Sequence, residues 1–207
     1  MCSIVGSFSI DTLRELVDAN AYRGQYRHSV MAITPGLEIK HLFQGVGAFD
    51  KYELFHETLD PMYYIAHHQA PTSASADYHP AWHNDDFLYH NGIVKERYIP
   101  ELQKMCDSLE QWDTRLLCQA VHYKGLGVLS DIDGTYACIM RYKTQLYAFR
   151  NQLSPLFTND KMDFSSTKTP LVSDELPSEE VFELNLQGRS TKSIFNFGTK
   201  DDVYFFG

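Results

Sequence analysis

The chain opens with the stretch Met1-Cys2-Ser3-Ile4-Val5-Gly6-Ser7-Phe8. Its apolar residues predict a first strand that starts just after the cysteine. Because cysteine has a small side chain, we expect the methionine before it to be trimmed. Trimming leaves a thiol and a free α-amine on Cys2, which together form a nucleophile with its own base. The alternative is that Cys2 is a small buried residue that only packs at the start of the strand.

Composition narrows the class of protein. The 207 residues include 27 acidic and 18 basic side chains, a net charge of -9. This balance disfavours a nucleic-acid partner, since binding a phosphate backbone needs basic surface. The four cysteines lie far apart without C-x-x-C spacing, and no apolar run is long enough for a membrane span. We therefore expect a soluble cytoplasmic protein with reduced thiols and no membrane contact.

The apolar patterns predict many strands and few helices. Helices are expected from Asp11, taken as an N-cap residue, from near Asp113, and over residues 101–109 after Pro100. Strands are expected at residues 3–9, 29–34, 38–43, 62–67, 86–90, 135–141, 146–150, 181–186 and 202–206. No repeat or linker divides this pattern, so we predict one α+β domain of two packed sheets flanked by helices.

Histidines are concentrated in the middle of the chain, at His67, His68, His79, His83 and His90. A metal site is one interpretation, but no pair has the helical H-E-x-x-H spacing and no cysteine lies nearby. We instead expect a solvated loop with surface histidines, and neither a metal nor another cofactor.

The pair Asn91-Gly92 directly follows the predicted strand at residues 86–90. An Asn-Gly pair at a strand end is typical of a hairpin turn. The functional alternative is an oxyanion hole, in which the Asn91 amide and the Gly92 N–H converge on one carbonyl oxygen.

Six motifs together resemble the class II glutamine amidotransferases. In order they are Met1-Cys2-Ser3-Ile4-Val5-Gly6, Tyr22-Arg23-Gly24, Ile65-Ala66-His67-His68-Gln69-Ala70-Pro71-Thr72-Ser73, His90-Asn91-Gly92-Ile93, Trp112-Asp113-Thr114 and Asp133-Gly134-Thr135-Tyr136-Ala137. The resemblance is to the glutaminase domains of glucosamine-6-phosphate synthase, amidophosphoribosyltransferase and asparagine synthetase, and it covers nearly the whole chain. It implies a four-layer αββα sandwich of the Ntn-hydrolase type.

The resemblance also implies roles for individual residues. Cys2 would attack the side-chain amide of glutamine and release ammonia through a γ-glutamyl thioester. Asn91 and Gly92 would hold the oxyanion. The substrate-binding residues implied are Arg23, Gln69, Thr72 and Asp113, of which Asp113 would pair with the α-ammonium group. For Asp113 the alternative is an ordinary helix N-cap.

Three positions depart from the family pattern. Gln69 stands where the family usually has an arginine that binds the substrate α-carboxylate, and a neutral amide lacks that charge match. His67, His68 or Arg23 are candidates to replace the missing cation. In addition, Ser3 replaces a glycine, and residues 25–27 differ from the usual sequence after Arg-Gly.

We expect residues 1–207 to form a single glutamine amidotransferase type-2 domain with no synthase domain attached. The first functional hypothesis is a glutaminase subunit that supplies ammonia to a separate synthase protein. The alternatives are a stand-alone amidohydrolase acting on a γ-glutamyl or related amide, and a catalytically weak regulatory or binding relative.

Overall fold

A computed structural model describes residues 1–49, 62–70 and 77–198. Within these ranges the helices are α1 (Ile10–Asn20), α2 (Ile99–Cys106) and α3 (Asp113–Lys124). The strands are β1 (Ser3–Ser7), β2 (Arg27–Ile33), β3 (Ile39–Val46), β4 (Tyr63–Gln69), β5 (Ala81–His83), β6 (Asp86–Val94), β7 (Gly134–Tyr142), β8 (Gln145–Arg150), β9 (Phe157–Thr158), β10 (Phe164–Ser165), β11 (Asp174–Glu175), β12 (Glu180–Asn185) and β13 (Ser190–Asn196).

The described strands form two antiparallel sheets. One sheet has the order β11-β9-β10-β1-β4-β2-β3, and the other has the order β13-β12-β8-β7-β6-β5. Strand β1 lies inside the first sheet, where it pairs with β4 on one side and β10 on the other. The start of β1 is therefore held on both edges, which fixes the residue that precedes it.

Apolar side chains alternate along the strands and form a core on each face of each sheet. The two sheets pack on each other through a core that includes Ile4, Ile65 and Phe87. Helix α1 covers the outer face of the first sheet, and α2 and α3 cover the outer face of the second. The predicted α+β fold with the layer order αββα is confirmed.

Several predicted boundaries were wrong. Helix α1 begins at Ile10, because the Ser9 side chain caps it by accepting a hydrogen bond from the Thr12 N–H at 3.2 Å; Asp11 lies in the first turn instead. Helix α2 begins before Pro100, which occupies its first turn, where a missing N–H is tolerated. The predicted strand at residues 202–206 lies outside the described residues.

No helix within the described residues is long and apolar enough to cross a lipid bilayer.

Candidate active site

Cys2 lies directly before β1 and is only 4% exposed. Its Sγ accepts a hydrogen bond from the Ala70 N–H at 3.4 Å and lies 3.8 Å from the Ala70 carbonyl oxygen. Ala70 follows β4, the strand beside β1, so the register of these two strands brings the thiol against this peptide. No pattern in the sequence indicated this backbone partner.

The surroundings of Cys2 raise the pKa of its thiol. Burial is the main cause, and the Asp113 carboxylate raises it further; the Ala70 N–H, the N-terminal ammonium and Arg23 act in the opposite direction. Cys2 is therefore held as a thiol at neutral pH. Such a group needs a base close by before it can act as a nucleophile.

Arg23 holds the backbone of the same residue. Its Nε donates to the Cys2 carbonyl oxygen at 2.9 Å, and its Nη2 lies 3.9 Å from the Met1 sulfur. The side chain is buried, at the end of a 3-10 turn spanning Ala21–Arg23. In this arrangement Arg23 holds the backbone beside the Cys2 thiol, and its assignment to substrate binding remains a proposal.

Asn91 and Gly92 lie inside β6, and the prediction that they end a strand was wrong. The strand continues because Gly92 adopts φ = 152°, a conformation that favours glycine, and stays paired with Tyr136 of β7. An added Cβ at Gly92 would lie 1.7 Å from the Thr135 carbonyl oxygen. A glycine is therefore required at this position for β6 and β7 to stay paired.

The alternation along β6 gives Gly92 an outward-facing donor. The His90 carbonyl accepts from His67 Nε2 at 3.2 Å, and the Val94 N–H donates to Asp113 at 2.9 Å. Alternate residues of a strand direct their backbone groups to the same edge, so the Gly92 N–H lies on this edge too. Within the described residues, β5 pairs with this edge only at residues 86–88.

The Asn91 side chain is connected to β1 through Ser166. Asn91 Nδ2 donates to Ser166 Oγ at 3.3 Å, and that oxygen also accepts from the Ile4 N–H at 2.9 Å. Ile4 lies two residues after Cys2, so one hydroxyl links the strand of the nucleophile to the amide of the proposed oxyanion hole. Sequence reasoning missed Ser166, since a serine next to a two-residue strand carries no periodic signal.

Asp113 is the first residue of α3, and the N-cap position belongs to Trp112, whose side chain makes no capping bond. The carboxylate accepts from the Thr114 N–H at 2.7 Å and from the Val94 N–H at 2.9 Å. It is close enough to Cys2 to raise the pKa of the thiol. Its two backbone donors thus hold the Asp113 side chain in place near Cys2.

The Gln69 side chain is hydrogen-bonded within the protein. The side chain is 2% exposed, and its Nε2 donates to the Asp77 carbonyl oxygen at 3.0 Å. This bond ties the end of β4 to the segment at residue 77. Thr72, the fourth predicted substrate-binding residue, lies outside the described residues.

The two other departures from the family pattern have local explanations. Ser3 is buried, and its Oγ lies 2.9 Å from His68 Nδ1. The Tyr26 N–H donates to the Gln69 carbonyl at 3.0 Å, so residues 25–27 lie against the end of β4. The Ser3 hydroxyl thus links β1 to β4 beside Cys2, whereas the Tyr26 contact is a backbone bond that most residues could make.

The histidines do not form the solvated surface loop that we expected. Four of the five are buried, namely His67, His68, His79 and His90. Three of them lie on β4 and β6, whose side chains are buried on both faces, and His79 lies just before β5, so these rings are part of the protein interior. The rings of His67 and His79 stack at 3.9 Å. Among the described residues, no group of three or more His, Cys, Asp or Glu side chains could hold a metal ion.

Comparisons with known proteins identify the fold. No protein-family model matches the sequence, and no curated protein is significantly similar to it. The glutamine phosphoribosylpyrophosphate (PRPP) amidotransferase from B. subtilis, complexed with ADP and GMP, matches with a TM-score of 0.69 at 17% identity, over 96% of this chain and 49% of that chain. The allosteric regulatory enzyme of purine biosynthesis matches with a TM-score of 0.68 at 18% identity, again over 96% of this chain and 49% of that chain.

This chain therefore spans about half the length of each of these structures. At this identity the likeness concerns the fold alone, which is the α+β arrangement of two antiparallel sheets.

Proposed function

We propose that the protein hydrolyses the side-chain amide of glutamine and delivers the ammonia to a separate synthase protein. The observation that carries this proposal is the position of Cys2, whose thiol accepts from the Ala70 N–H and whose strand is linked through Ser166 to the Asn91 amide of β6. Four features supply the parts of an amide-cleaving site, namely a thiol, an amide side chain, a strand-edge N–H and a fixed carboxylate.

The first step requires the α-amine of Cys2, which removal of Met1 exposes. Burial and Asp113 keep the thiol protonated, whereas an α-amine titrates near ~7.8 and is partly neutral at pH 7. The amine takes the thiol proton as the sulfur attacks the amide carbon of glutamine. The C–S bond forms while the carbonyl oxygen gains the negative charge.

Asn91 Nδ2 and the Gly92 N–H would donate to that oxyanion. Collapse of the intermediate breaks the C–N bond, and the proton held by the α-amine passes to the leaving nitrogen, so that ammonia departs. Water then attacks the γ-glutamyl thioester with the amine again as base, giving glutamate and the restored thiol. Asp113 would bind the substrate α-ammonium group throughout.

The proposal includes a separate protein that accepts the ammonia, and the reason is chemical. Ammonia released into water near neutral pH is mostly protonated, and the ammonium ion has no lone pair with which to attack. Direct transfer to a bound partner avoids this loss. Closure of the site by such a partner would also exclude water from the thioester.

A second function is favoured by one observation, the engagement of Gln69 with Asp77. If no cation meets the α-carboxylate, free glutamine lacks one of its contacts, and the preferred substrate is an amide whose other substituent supplies the missing binding energy. The protein would then be an amidohydrolase on γ-glutamyl or related amides.

The proposed function is tested by intact mass, covalent labelling and kinetics. We expect a mass that begins at Cys2, labelling of Cys2 by a diazo-ketone analogue of glutamine, and glutaminase activity that is lost in Cys2→Ala. Cys106→Ala is the matched control, because Cys106 is a buried thiol on α2. Active protein that retains Met1, or activity that survives in Cys2→Ala, would contradict the proposal.

A further inference from the structure

Glutamine carries a free carboxylate, and the three cations suggested by the sequence fit it poorly. This inference rests on the proposed function. Burial lowers the pKa of His67 to about 3 and that of His68 to about 4, so both rings are neutral at pH 7. Arg23 donates its Nε to the Cys2 carbonyl. Of these three groups, the two rings are neutral and Arg23 is already bonded to the backbone of Cys2.

Arg115 already binds carboxylates at this end of the molecule. Its Nη1 lies 3.1 Å from Glu110 and its Nη2 lies 3.4 Å from Asp77. The guanidinium also lies over the ring of the buried Trp112, 5.4 Å from its centroid. Each of the two nitrogens meets a different carboxylate, so the guanidinium can bind carboxylate groups on this side of α3.

The two acidic partners of Arg115 differ in how firmly they are held. Glu110 accepts hydrogen bonds from the Trp112 N–H at 3.0 Å and the Gln111 N–H at 2.9 Å, and its side chain is 20% exposed. The Asp77 side chain is 56% exposed. An ion pair this exposed contributes little to stability, so Asp77 can leave Arg115 at low cost.

A continuous set of contacts leads from the nucleophile to this arginine. The Cys2 thiol lies against Ala70, and the adjacent Gln69 side chain donates to the carbonyl of Asp77. The carboxylate of that same Asp77 meets Arg115. Gln69 thus holds the segment that presents a carboxylate to Arg115.

We propose that Arg115 is the α-carboxylate ligand of this site, and that the Asp77 carboxylate occupies the place of the substrate carboxylate until glutamine displaces it. The cation has then moved from β4 to helix α3, two residues after Asp113. One helix terminus would recognise both charged groups of the amino acid, the ammonium through Asp113 and the carboxylate through Arg115.

Steady-state kinetics with two substrates test this proposal. For glutamine, Arg115→Gln should raise KM at least about tenfold with kcat unchanged, because the contact is equal in ground and transition states. For the α-amide of glutamine, which lacks the carboxylate, KM should not change. Asp77→Asn should lower KM for glutamine by roughly two- to fivefold by removing the competing carboxylate. Arg115→Lys should fall between wild type and Arg115→Gln.

Arg14→Gln is the matched control, since Arg14 forms a comparable ion pair with Asp11 on the distant helix α1. Thermal unfolding confirms that each variant is folded. An unchanged KM in Arg115→Gln, or an equal rise for both substrates, overturns the proposal. So does a carboxylate-dependent rise in Arg27→Gln instead, because Arg27 lies opposite Gln69 in the sheet.

Calorimetric binding of glutamine to Cys2→Ala separates this proposal from the proposed function. Weaker binding in Cys2→Ala/Arg115→Gln than in Cys2→Ala supports Arg115 even if wild type shows no turnover, which would refute the glutaminase function. Equal binding in both variants refutes the role of Arg115 and leaves the glutaminase function standing.

Discussion

The two ends of the candidate site are held by different kinds of contact. At the reaction end, formed by Cys2, Ala70, Asn91 and Gly92, most contacts come from the backbone of paired strands. At the recognition end, formed by Gln69, Asp77 and Arg115, they come from side chains that meet across three segments. Strand pairing fixes the first set, whereas a single substitution can change the second. One of the departures from the family pattern, Gln69, lies at the recognition end.

The largest effect is expected from Gly92→Ala, which tests whether strand geometry governs the reaction end. The new Cβ would overlap the Thr135 carbonyl oxygen, and φ at this position is positive. We expect loss of activity and destabilisation of about 3 kcal/mol or more, measured by urea unfolding. Gly127→Ala is the control, since no atom lies within 4 Å of its added Cβ. A stable, active Gly92→Ala would mean that β6 and β7 can separate freely.

Asn91→Ala should act on the chemical step while leaving the strands paired. Loss of one oxyanion donor lowers kcat by about 10²–10³-fold with little change in KM. Ser166→Ala is the informative companion, because it removes only the hydroxyl that orients the amide. Its decrease in kcat should be smaller. A fall in kcat in Ser166→Ala equal to that in Asn91→Ala would assign the catalytic effect to Ser166 instead.

The pH dependence of the free energy of unfolding tests the packing of β4, the strand that both ends of the site share. His68 of β4 packs near His28 and Asp18 and bonds Ser3, and burial lowers its pKa to about 4. Below pH 6.5 the His68 ring takes up a proton in the unfolded chain but stays neutral in the folded chain. The free energy of unfolding therefore decreases as the pH is lowered, down to about pH 4. His68→Gln should lose roughly 2 kcal/mol less than wild type between pH 7 and pH 5.

Urea titrations at the two pH values provide the measurement. His41→Gln, at an exposed position of β3, should behave as wild type does. If His68→Gln loses as much stability as wild type, the proton uptake occurs at another buried histidine.

The smallest effect is expected from Gln69→Ala at the recognition end. The substitution removes one hydrogen bond to the Asp77 carbonyl, which contributes about 1 kcal/mol. Looser placement of Asp77 should raise or lower KM for glutamine only a few-fold, with kcat unchanged, in contrast to Asn91→Ala. A large fall in kcat would show that the two ends are not separable.

The sequence allowed the longer strands to be predicted because their apolar residues alternate clearly. It did not allow β13, whose polar residues lie exposed at the sheet edge, or the two-residue strands β9 and β11. Such short strands exist only through pairing with distant segments, which a local pattern cannot report.

The residues of the candidate site divide in the same way, into those that a local pattern can indicate and those that depend on pairing with distant segments. Cys2, Asn91 and Asp113 were selected from the sequence because their residue types can carry the chemistry, and their roles stay predictions. Ser166 and Ala70 were missed, since a hydroxyl and a backbone N–H act through position, and position depends on the register of β1 with its neighbours. The Asn91-Gly92 pair was misjudged as a strand end because its local signal is that of a turn.

The edge of β6 also sets a fixed distance between two backbone N–H groups of the candidate site. The Gly92 N–H and the Val94 N–H, which anchors Asp113, lie two residues apart on the same strand edge, and the strand repeat sets their separation at roughly 7 Å. Under the proposed function, this spacing fixes how far the reacting amide must lie from the α-ammonium group. Asparagine is one methylene shorter and cannot reach both points, so discrimination by side-chain length would come from the main-chain repeat and would persist through most changes of side chain.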